Sequence, residues 1–114
     1  MTAASSAFDV QALGSEMIAA ARTALADRAP ALEALAEMEL RRLAGVLAEI
    51  GGLLAKGRIE KKRARGLIEI HRFTTRSVLL SLEGIGLLAA DQAMKAVMRV
   101  AGAVLNRVVG FKVL

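Results

Sequence analysis

The only histidine of this chain, His71, lies in the run Glu69-Ile70-His71-Arg72-Phe73-Thr74-Thr75. A histidine one helical turn from a hydroxyl is the least that nucleophilic catalysis requires, and Thr74 and Thr75 stand at i+3 and i+4. Threonine is a weak nucleophile that needs an oriented base. The positions that could orient His71 from within its helix are Leu67 and Ile68, and Glu69 at i−2 points to another side. His71 therefore reads as a polar residue of a helix–helix contact. Di-metal carboxylate bundles use Glu-x-x-His twice, whereas Glu69-Ile70-His71 has the wrong spacing and no second histidine follows. Glu33 and Glu37 share a face at i, i+4, but two carboxylates near a helix start are satisfied by the helix dipole. The chain has no cysteine, so a thiol nucleophile, a disulfide and cysteine ligation of a metal are all excluded. Gly84-Ile85-Gly86 is a two-glycine fragment inside a helical pattern, without the lysine or the preceding strand of a phosphate loop. The sequence thus supplies no catalytic residue, no metal ligand and no cofactor-binding residue, and no small-molecule substrate is inferred. The expectation is a non-enzymatic protein.

The strongest polar signal is a run of cations. Lys56, Arg58, Lys61, Lys62, Arg63 and Arg65 place six bases within ten residues, offset only by Glu60. Such a patch attracts phosphates, whether of nucleic acid or of lipid headgroups. No aromatic side chains interleave with it to stack on bases, and no helix-turn-helix spacing accompanies it. Charge is uneven along the chain: residues 1–55 carry net −3 and residues 56–114 net +8, giving +5 in all. Halves of opposite sign suit antiparallel packing within one chain or head-to-tail assembly between chains.

The elements that must hold these residues are helices. The chain is 55% hydrophobic but only 3% aromatic, with one proline among 114 residues, so its apolar mass is aliphatic and rich in helix formers. Ser6 and Asp9 have the spacing of a helix-capping pair, and Val10, Leu13, Met17, Ala20 and Ala24 follow in one stripe. Asp27-Arg28-Ala29-Pro30 ends that segment. A second helix runs from about Pro30 to Lys56, with Ala36, Leu40, Leu43, Leu47, Ile50 and Leu54 as its seam. Gly51 and Gly52 either fray it or admit another backbone closely. Lys56-Gly57-Arg58 reads as its stop, with Ile59 tucking back, so a basic turn near 56–60 reverses the chain. A third helix begins near Glu60 and continues through Leu67, Ile70 and Phe73. Gly84 and Gly86 either kink it or end it, and Met94, Val97, Ala101, Val104, Val108 and Phe111 then form a last stripe that closes near Gly110.

The expected fold is all-α: an antiparallel hairpin or bundle of three to four helices in one domain over 1–114, with residues 1–8 flexible and a long C-terminal helix kinked at Gly84–Gly86. The apolar stripes of the second and last helices look too wide for one such bundle to cover. This predicts self-association, or burial against another helical protein, through Leu40, Leu43, Leu47, Ile50, Leu54, Met94, Val97, Ala101, Val104, Val108 and Phe111. The favoured function is a self-associating structural or adaptor protein, a component of a larger assembly such as a phage particle or secretion apparatus, with the basic turn on an anionic partner. Two alternatives stand beside it, a holin-like or peripheral membrane hairpin and a nucleic-acid-binding module. No signal peptide is evident at the N-terminus. The most apolar windows, 43–55 and 77–90, are short and carry Glu49 and Glu83. Localisation is expected in the cytoplasm or within an assembly, with membrane association left open.

Overall fold

A computed structural model describes residues 9–26, 34–110 and 112–113 of the chain. Among these residues four α-helices follow one another: α1, Val10–Leu25; α2, Ala34–Ala55; α3, Lys61–Leu80; and α4, Leu87–Val109. The longest dimension, 41 Å, is little more than α4 alone, about 35 Å at 1.5 Å per residue. The helices therefore stand side by side. Cross-helix contacts set their directions. Arg22 pairs with Glu37 while Gln11 reaches Arg41, Glu39 meets Thr75 while Arg42 meets His71, and Arg76 binds Asp91 at 2.7 Å. Each neighbour in sequence thus runs antiparallel to the last, an up-down-up-down bundle of the expected all-α class.

Local chemistry accounts for the ends. Asp9 caps α1, its carboxylate accepting from the Ala12 amide at 3.0 Å. The cap is thus Asp9 itself, and Ser6 lies outside the described residues, as do residues 1–8, expected to be flexible, and the start of the second helix near Pro30. At the end of α2, Arg58 N–H bonds the Leu53 carbonyl and Gly57 N–H the Leu54 carbonyl. Gly57 sits at φ +70, which completes the paired-bond helix stop expected of Lys56-Gly57-Arg58. Ile59 packs back onto the core as anticipated. Gly52 neither frays α2 nor admits a neighbour, since the helix is continuous there and open space surrounds it.

The expected kink at Gly84–Gly86 is instead a full break. Helix α3 ends at Leu80, and Ser81–Gly86 turns the chain through Gly84 at φ +87 before α4 starts. Leu82 and Ile85 are buried in this turn, so the break is itself an apolar plug at the end of the bundle. The window 77–90 is therefore divided between two helices. None of the described helices is long and apolar enough to cross a membrane.

The core also revises the assembly expectation. Leu40, Leu43, Leu47, Ile50 and Leu54 of α2, with Met94, Val97 and Ala101 of α4, are buried inside this one chain. Val104 and Val108 are half-buried against that core, and Phe111 lies outside the described residues. The reason is topological. Helix α4 packs on α1, α2 and α3 at once, so a stripe too wide for one neighbour is covered by three. The large apolar side chains left exposed are different ones, among them Met38, Ile70, Phe73, Leu87 and Leu88.

Candidate functional site

The bundle has a basic end, built where α2 stops, α3 starts and the chain returns after α4. Lys56 and Arg58 project from the turn, and Lys61, Lys62 and Arg63 form the first turn of α3. Lys56, Arg58, Lys62 and Arg63 are exposed, and none of them enters the ion pairs found among the described residues. The N-cap residue, Glu60, makes no capping bond with its side chain, and the first turn holds no acid. Cations thus crowd the positive end of a helix dipole, where the local field disfavours them and favours an anion.

Arg65 has a different part. Its Nε donates to the Val113 carbonyl at 2.8 Å, while the Val113 amide donates to Asn106 Oδ1 at 2.6 Å. Val113 is buried between these bonds, so residues 112–113 lie back against the start of α3. This carries the exposed Lys112 to the basic end. The sequence reading left Lys112 out because it lies nearly fifty residues from the cluster, and only the Asn106 and Arg65 bonds bring it there.

A second polar cluster joins α2 to α3. Glu39 takes a forked bond from Arg42, with Nε at 2.9 Å and Nη2 at 2.6 Å, and a third from the Thr75 hydroxyl at 2.8 Å. Arg42 also lies 3.4 Å from His71 Nδ1, which can accept a bond from it when the ring is neutral. The Arg42 fork holds the Glu39 carboxyl below the ordinary carboxylate range, against the opposing effect of its burial, and Thr75 adds to the lowering. Thr75 is fully buried, and its hydroxyl goes to Glu39. Thr74 instead bonds the Ile70 carbonyl of its own helix. The Thr–His pairing considered from sequence is not the arrangement found. A carboxylate held firmly ionised is a poor base, and a hydroxyl closed off from solvent meets no substrate, so this cluster acts as an interhelical clamp. Glu39 went unremarked in the sequence because its partner lies 36 residues away.

The Glu33–Glu37 pair does not come together as a described site. Glu33 lies outside the described residues, and Glu37 is paired with Arg22. Among the described residues no cluster of His, Asp or Glu is placed to hold a metal ion. Comparison with protein-family models, with curated proteins and with solved structures finds no match to this chain.

Proposed function

We propose that this chain is a non-enzymatic helical adaptor whose basic end holds a phosphate-rich partner, with nucleic acid the first candidate. One observation carries the reading: the uncapped first turn of α3 bears Lys61-Lys62-Arg63 and shares its end of the bundle with Lys56, Arg58 and Lys112. These six cations at a helix N-terminus are poorly placed in isolation and well placed around phosphates. The test is a titration of the chain into labelled duplex and single-stranded DNA across a salt series. We expect binding that weakens steeply with salt, its log–log slope falling by about 0.9 for each phosphate contact removed. The variant Lys56→Gln/Arg58→Gln/Lys62→Gln/Arg63→Gln should lose at least tenfold in affinity. Binding unchanged in that variant, or absent at low salt, refutes the reading. Binding to anionic vesicles but not to DNA would move the partner to lipid headgroups.

Self-association is the second reading, and it now rests on other residues than the buried seam. Ile70 and Phe73 are 61% and 59% exposed and adjacent on α3, and Leu87 and Leu88 stand out at the start of α4. Light scattering at micromolar concentration tests it. A dimer that Ile70→Ser/Phe73→Ser converts to monomer supports it, and a monomer from the outset removes it.

A further inference from the structure

Helices α1 and α4 are the most extensively packed pair, yet the outer line between them is hollow. Two open depressions of about 560 and 500 Å³ lie end to end there, sharing Ala20, Thr23 and Val100. Small side chains line much of them, among them Ala20, Ala96 and Ala103, together with Val100 and Val104. The α4 wall carries Lys95, Arg99 and Arg107, which stand four and then eight residues apart and sweep about 120° around the helix over roughly 18 Å of its length. All three are exposed and have no ion-pair partner among the described residues. The one acid lining the hollows is Glu16.

We propose that this groove seats an acidic amphipathic helix of a partner protein. Three turns of helix match the length of the row of cations. A lining rich in alanine lets two helix axes approach to about 8 Å, provided the incoming face is aliphatic. Carboxylates on the flank of that helix, spaced i and i+4, meet Lys95 and Arg99, and one two turns further meets Arg107. Nucleic acid fits less well, because no aromatic side chain lines the groove and phosphates gain nothing from alanine methyls. A second copy is also disfavoured. Two-fold pairing about an axis across the groove sets one row of cations against another, and pairing about an axis along it offers three cations only Glu16. Arg107 is near the basic end, but Lys95 and Arg99 lie about four and three turns back from the Val109 end of α4, so the groove would give the adaptor a second contact face.

The test uses the full chain and a fluorescein-labelled 21-residue helical peptide with leucine and alanine on one face and glutamates along the flank. We expect saturable binding that Lys95→Glu/Arg99→Glu weakens at least thirtyfold. The same variant should gain affinity for a peptide whose flanking glutamates are replaced by lysine, which a misfolded protein could not do. Ala20→Trp/Ala103→Trp obstructs both hollows without changing charge and should weaken the acidic peptide at least tenfold. The fourfold glutamine variant of the basic end should bind it as the natural chain does. The proposal is overturned if that fourfold variant weakens the peptide as much as the α4 variant, if the obstructed groove binds normally, or if the peptide does not bind. It is equally overturned if a DNA duplex displaces the peptide and itself depends on Lys95 and Arg99.

Discussion

Among the described residues the Glu39–Thr75 bond joins two buried side chains across α2 and α3. Replacing Glu39 by leucine removes the only partner of a hydroxyl with no solvent access, which costs about 1–3 kcal/mol in desolvation alone. Arg42 adds less, because its side chain is 38% exposed and can turn to water. The single substitution should therefore cost about 2–3 kcal/mol. Thr75→Val removes one bond to a charged acceptor but leaves Glu39 its Arg42 fork, so about 1.5–2 kcal/mol is expected. In the double variant both groups are apolar and of fitting shape, no polar atom is stranded, and the total should fall to about 1–2 kcal/mol. The double-mutant cycle then shows a coupling of about 3 kcal/mol. Urea unfolding followed by helical circular dichroism measures it, since the chain has no tryptophan or tyrosine for fluorescence. With a slope of about 1–3 kcal/mol per molar, the single variants shift the midpoint by roughly 1 M. Additive single-variant losses would show that the bond contributes nothing as a pair, and the clamp would have to be abandoned.

Acid should weaken the same clamp. The folded pKa of Glu39 lies below its unfolded value of about 4.3, so its stabilisation is complete above that range and is lost as pH falls through the folded value. Urea midpoints of Glu39→Gln between pH 5 and pH 2 should fall less steeply than those of the natural chain, and parallel curves would contradict this. Gly45, Gly52 and Gly66 lie inside helices with open space where a Cβ would go. Each change to alanine should raise stability by about 0.4–1 kcal/mol, and a lower melting temperature for the triple variant would show that one of these sites is packed. Ala26 closes α1 at φ +52, a region that disfavours a side chain. Ala26→Gly should stabilise the fold by about 1 kcal/mol, and a loss would place the strain elsewhere.

Much of the fold was legible because helix signals act over one or two turns. The Asp9 cap involves an amide three residues on, and the Gly57 stop involves carbonyls three and five residues back. The Gly57 stop can be read from spacing alone, whereas the Ser6–Asp9 spacing points to Ser6 as the cap and the residue that caps α1 is Asp9. The choice at Gly84 and Gly86 could not be read from spacing. Two glycines cost about 1 kcal/mol each in a helix interior, and packing elsewhere can override that sum. The break is settled by burial of Leu82 and Ile85 and by the Arg76–Asp91 bond, which requires the chain to double back. The cation run at 56–65 was equally visible as a cluster, but its membership was not. Arg65 turned out to hold the main chain at Val113, and Lys112 joined from the far end of the sequence.

In α1 the buried face includes Ile18, Ala21 and Leu25, while Val10 of the expected stripe is exposed. Taken alone, the sequence determined that the chain is helical, where α2 ends and α3 begins, and which side chains line the α2 seam. Those properties depend on intrinsic preferences and on neighbours within four residues. It could not determine how many partners each stripe would meet. Widths that pointed to burial between molecules are covered within one molecule, because α4 rests on three helices at once. The tertiary structure alone decided that α1 and α4 would leave a cation-walled groove, and that Glu39 would find Thr75. Both follow from the relative placement of helices, which is set by the packing of the whole core.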